Sequence, residues 1–107
     1  MTSLEASAAL GERAEWVADR LRLLANASRL LILCRLTEGE ASVGVLQGAV
    51  GLSQSALSQH LARLREAGIV ATRREAQTIH YRIADDETRL LMTALYTAFC
   101  HPPAEAG

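Results

Sequence analysis

Over the first two thirds of the chain, apolar residues recur at helical spacing. In LGERAEWVADRLRLLA, residues Leu10, Ala14, Val17, Ala18, Leu21, Leu24 and Ala25 recur at three- and four-residue steps, which predicts one amphipathic helix. Asn26 suits the cap of a second helix from about Ala27 to Leu36 that stops near Gly39. Ser42 opens a short third helix, VGVLQGAV, and Gly51 closes it where a left-handed backbone costs little. Ser53 caps a fourth helix that runs through Ala67 and is closed by Gly68. The period then changes, because IVATRR and TIHYRI are two β-branched runs flanking EAQ, the pattern of a hairpin. A last helix starts near Asp86, with Asp85, Asp86 and Glu87 at its positive N-terminal end, and stops at Pro102 and Pro103. The predicted order is α-α-α-α-β-β-α, mainly α with a β-hairpin. Residues 1–8 and 102–107 are expected to be disordered tails.

A chain of 107 residues with half of them apolar fits one domain, 1–107, around one core. Glu5 and Glu12 stand where a secretory signal would be basic, and no apolar run approaches the ~18 residues of a membrane span. The expectation is a soluble cytoplasmic protein with no membrane partner. The last helix, RLLMTALYTAFC, is apolar nearly all round, and such a helix is normally buried on more than one side. It is expected to pair with a second copy of the chain, together with the first helix.

The net charge of -1 conceals an asymmetry. From Gly51 to Ile83 there are five arginines against two glutamates, a net of +3, which leaves -4 for the remainder. A basic segment inside a near-neutral chain points to one face made for an anionic partner. That segment contains two short helices separated by GLS and followed by a hairpin, the spacing of a helix-turn-helix whose second helix enters the major groove. Placing Leu57 inward brings Leu61 and Leu64 beside it, while Ser55, Ser58, Gln59, Ala62 and Glu66 face out. Gln59 suits an adenine edge, Ser55 and Ser58 can donate to phosphate or base, and Gln54 with the first-turn N–H groups suits a phosphate. His60 and Arg63 are read on the same DNA side. In the hairpin, alternation sets Ile79, Tyr81 and Ile83 against Thr78, His80 and Arg82, with Arg73, Arg74 and Gln77 at or beside the tip. A basic wing of that kind reaches flanking phosphates or the minor groove. Aromatic residues make up only 4% of the chain, which disfavours a base-stacking single-strand binder and favours duplex DNA.

The stretch LANASRLLILCRLTEGEASVGVLQGAVGLSQSALSQHLARLREAGIVATRREAQTIHYRIAD resembles the ArsR/SmtB family of winged helix-turn-helix repressors, most specifically in LSQSALSQHLARLREAGIV. The resemblance implies a homodimer through the first and last helices, operator binding in the free state and release on sensing a signal. In the wing, the commoner family form has a glycine and a basic residue where this chain has Ala76 and Gln77.

Most members of that family sense metals, yet the ligands are sparse here. Ser42 and Gly44 stand where the family's thiolate-rich site has cysteines, and TRLLMTALYTAF lacks the carboxylate and histidine pairs of its last-helix site. A metal(loid)-responsive alternative would have to use Cys34, Cys100, His101 and something remote. No metal or other cofactor is expected. By its aliphatic neighbours alone Cys34 reads as a small buried hydrophobe. The arrangement of Cys34 and Cys100, however, resembles the BigR/SqrR branch of the family, which implies redox sensing of persulfides or oxidants by this pair. An enzyme is not expected, because there is no phosphate-binding glycine loop, metal-ligand motif or nucleophile elbow.

Overall fold

The computed structural model describes residues 2–100. Helices α1 (Ser3–Glu12), α2 (Ala14–Leu24) and α3 (Ala27–Leu36) lead to a two-residue strand β1 (Ala41–Ser42). Helices α4 (Val43–Val50) and α5 (Gln54–Glu66) follow, then strands β2 (Val70–Glu75) and β3 (Thr78–Ile83), then helix α6 (Asp86–Phe99). Side-chain caps set three of the helix starts where the sequence places them: Asn26 accepts from the Arg29 N–H, Ser42 from Val45 and Ser53 from Ala56. Gly51 closes α4 at φ 69°, a conformation that an L side chain adopts only at a cost.

The core is one cluster. Ile32, Leu33 and Leu36 of α3, Leu46 of α4 and Leu57, Leu61 and Leu64 of α5 are buried with Ile69 of the link before β2 and Val70 and Ile83 of the sheet, and Leu24 and Met92 close the ends. All three strands are antiparallel in the order β1-β3-β2, with Ala41 opposite Tyr81, Arg73 opposite His80 and Arg74 opposite Ile79.

Three expectations are corrected. The single helix expected over Leu10–Ala25 is broken at Arg13, whose φ of -109° and ψ of 12° leave helical geometry. There the Arg13 side chain bonds Glu87 at 2.8 Å and its guanidinium stacks on Trp16. Residues 1–8, expected as a disordered tail, are helical from Ser3, because Thr2 and Glu5 form a reciprocal capping box. The strand β1 was not foreseen at all, since two residues join the sheet only through a tertiary pairing with β3. The other tail, 102–107, lies outside the described residues.

Helix α6 buries only Thr88 and Met92 and leaves Leu90, Tyr96 and Phe99 exposed, Phe99 by 79%. No helix among the described residues is long and apolar enough to cross a membrane.

Candidate nucleic-acid interface and cysteine pair

The turn between α4 and α5 is held from within, because the Gln47 side-chain amide donates to the Leu52 carbonyl at 3.2 Å. With Leu57, Leu61 and Leu64 buried, the opposite face of α5 is exposed: Gln54, Ser55, Ser58, Gln59, Ala62, Arg63 and Glu66 all lie open. His60 departs from that face. It is half-buried on the flank toward α3, with Nδ1 3.3 Å from Arg29 Nη1. That Arg29 side chain also donates to the Leu23 carbonyl, so His60 sits against an internal brace.

Strand register sorts the wing residues between two faces. Val70 and Ile83, which are buried, share a face with Thr72, Tyr81, Arg74 and Ile79. This face turns toward α5, and between the two lies an open cleft lined by Ser58, Leu61, Ala62, Arg65, Glu66 and Tyr81. Arg73 and His80 occupy the other face. Arg74 is exposed near the tip and donates from Nε to the Ala76 carbonyl at 3.2 Å, and Gln77 is exposed beside it. Ala76 takes φ 58°, the left-handed region, in a two-residue connection between Glu75 and Thr78.

Among the described residues, Arg63, Arg65, Arg74 and Arg82 enter no ion pair. Arg73 differs, since it bonds Glu40 at 2.7 Å and approaches Glu75 at 3.6 Å. The Arg73 hydrogen bond, with its charge, holds the Glu40 carboxyl below the usual carboxylate range, and Glu40 raises the Arg73 guanidinium in turn. Sequence reasoning singled out neither Glu40 nor Arg65. The signal for Arg65 was present, since the residue lies one step C-terminal to Leu64 on the wing side of α5.

Cys34 is exposed, against its local reading as a buried hydrophobe. The reason is the face of α3 on which it falls: Ile32, Leu33 and Leu36 take the core, while Leu31 and Cys34, three residues apart, share the outer stripe. The Cys34 carbonyl accepts from Thr37 Oγ1 at 2.6 Å. Cys100 caps the end of α6 and is exposed, and both thiols are free. Among the described residues no group of three histidine, cysteine or acidic side chains could hold a metal ion, and His101 lies outside them.

Residues 26–72 match the family model described as bacterial regulatory protein, arsR family. A biofilm growth-associated repressor of Agrobacterium fabrum is 50% identical over 94 residues, covering 88% of this chain and 80% of that protein. The crystal structure of the transcriptional repressor BigR from Xylella fastidiosa superposes with a TM-score of 0.84 at 43% identity, over 95% of this chain and all of that one. The homodimeric winged helix-turn-helix DNA-binding domain Mb0332 from Mycobacterium bovis, described as a possible ArsR-family regulator, gives a TM-score of 0.72 at 30% identity. It covers 92% of this chain and 86% of that one.

Proposed function

The chain belongs to the bacterial ArsR family of winged helix-turn-helix transcriptional regulators, and from that premise we propose that it is a homodimeric repressor released from operator DNA by reactive sulfur species or oxidants acting on Cys34 and Cys100. The DNA half of the reading rests on the exposed polar face of α5 beside arginines that have no carboxylate partner among the described residues. Ser55, Ser58 and Gln59 read base edges, Gln54 meets a phosphate at the helix N-terminus, and Arg63, Arg65, Arg74 and Gln77 bind the strands on either side.

The observation that carries the sensing half is the exposure of Cys34 on a helix whose Ile32, Leu33 and Leu36 are buried in the core. A packing cysteine would be buried, whereas an exposed thiolate can attack a persulfide RSSH at its outer sulfur, expel RS⁻ and become a persulfide itself. Attack by the Cys100 thiolate on the inner Cys34 sulfur then gives a disulfide and expels HS⁻. If a second RSSH first converts Cys100 as well, the two persulfides condense to a trisulfide with loss of H₂S. A direct disulfide needs Cα atoms within about 7 Å, and the longer link tolerates more. A covalent link between α3, which packs on the reading unit, and the end of α6 favours one relative placement of the two. Weakening DNA binding about a hundredfold requires a bias of roughly 2.7 kcal/mol toward the released form, within reach of a covalent constraint.

Operator binding before and after persulfide treatment tests the reading. Cys34→Ser and Cys100→Ser should each leave basal binding intact and abolish release. If Cys34→Ser protein still leaves DNA on treatment, the pair is not the switch.

A further inference from the structure

Glu40 lies in the link between α3 and β1, and Arg73 of β2 donates to it as a fork: Nη2 to Oε1 at 2.7 Å, Nε to Oε1 and Oε2 at 3.1 and 3.2 Å. Because the sheet order is β1-β3-β2, these two side chains come from opposite edges. They meet over His80 of the central strand, which pairs with Arg73 on one side and Ser42 on the other. A forked arginine–carboxylate pair is the geometry in which a surface ion pair contributes measurably. Both partners are also partly shielded, with side-chain exposures of 46% and 31%.

The backbone alone attaches the wing weakly on this side. The ladder between β1 and β3 consists of Ala41 opposite Tyr81 and Ser42 opposite His80, while within the sheet β2 pairs only with β3. Arg73 also lies on the face turned away from α5, opposite to that of Arg74. Its guanidinium is further engaged by Glu75 at 3.6 Å, so it has two carboxylates close by on the face turned away from the reading helix.

We infer that Glu40 is a positioning residue for DNA binding: through Arg73 it fixes the angle of the wing at which Arg74 and Gln77 meet the DNA backbone, and Arg73 itself does not bind phosphate. The inference rests on the DNA-binding reading above. A strut and a phosphate ligand differ in what a charge reversal does. Exchanging the two charges preserves a strut, whereas it replaces a phosphate ligand by a repelling carboxylate.

The test compares the wild-type protein with Glu40→Gln, Arg73→Glu and the exchanged double variant Glu40→Arg/Arg73→Glu, on random-sequence duplex DNA over a salt series, with thermal melting to confirm folding. Glu40→Gln should bind about fivefold more weakly, the upper range for a surface pair, with an unchanged salt slope. The double variant should recover most of what Arg73→Glu loses, again at the wild-type slope. Tighter binding by Glu40→Gln, or a double variant no better than Arg73→Glu with a slope lower by about one per protomer, would overturn the inference. Amide exchange in β2 and β3, faster in Glu40→Gln and restored in the double variant, reports the strut without DNA. Failure of the wild-type protein to bind duplex DNA would refute the functional reading, while unchanged exchange in Glu40→Gln would refute the strut.

Discussion

Gln59 and Arg74 are both exposed and both face DNA in the proposed complex, yet they act on different quantities. Gln59 lies on the outward face of α5, where an amide can pair with one adenine edge and discriminate by about 1–3 kcal/mol. Arg74 stands at the wing tip with no carboxylate partner among the described residues and offers charge alone. Gln59→Ala should therefore narrow the gap between operator and random DNA, and Arg74→Ala should weaken all sequences alike and reduce the salt slope by about one per protomer. Equal effects of the two changes on specificity, measured by titration over a salt series, would refute this division. The same tip carries a strained residue, Ala76 at φ 58°. A left-handed alanine costs roughly 1–2 kcal/mol, more than the entropy a glycine loses on folding, and a hairpin connection with positive φ at its first position favours glycine. Ala76→Gly should raise the unfolding free energy by up to about 1 kcal/mol, read as a higher denaturant midpoint at constant m.

Between elements, long-range ion pairs fix what the core does not. Arg13, at the break between α1 and α2, holds Glu87 in the first turn of α6, and Glu40 is held by Arg73 across the sheet. In both cases the arginine hydrogen bond lowers the glutamate's pKa in the folded protein. Each lowered pKa contributes stability above the unfolded carboxyl value of about 4.3, and that stability is lost as pH falls through the folded value. Glu40→Gln and Glu87→Gln should thus flatten the acid limb of the stability profile while changing little of its shape above pH about 6, as denaturant titrations at stepped pH would record. Neither pair was legible in the sequence, since the partners lie 33 and 74 residues apart and only the fold brings them together. Helix α5 was legible almost to the residue, because a serine cap, three leucines at helical spacing and a closing Gly68 agree with one another. The exposure of Cys34 was not legible from its neighbours for the converse reason: Leu30, Leu31, Ile32 and Leu33 are four aliphatic residues in a row, so periodicity could not say which of them the core would take, and only the resemblance marked the thiol as a reacting group. At α1 the cue was present in Thr2 and Glu5, but apolar residues counted across Gly11 and Arg13 concealed the break.

For the whole molecule, two asymmetries point the same way. The basic segment gathers on α5 and the wing, whereas seven of the ten exposed large apolar residues among those described lie on the first two helices and the last: Leu4, Leu10, Trp16 and Leu21 on α1 and α2, Leu90, Tyr96 and Phe99 on α6. Helix α1 buries no residue of its own, and a ten-residue helix is marginal in water without packing. A second copy laid against α2 and α6 would remove this apolar surface from water and leave both basic faces open. A two-fold axis would then present two reading helices to one side of a duplex, and a closed symmetric pair requires a DNA site with matching symmetry. The operator should be an inverted repeat whose half-site centres lie about one helical turn, or a multiple of it, apart. Replacing Leu90 and Phe99 together by polar residues, both exposed in the single chain, should leave the winged fold intact by circular dichroism, shift the sedimenting species to monomer and reduce operator affinity far more than affinity for one half-site. A wild-type protein that sediments as a monomer at micromolar concentration and still binds the full operator with undiminished affinity would refute the dimer and with it the symmetric site.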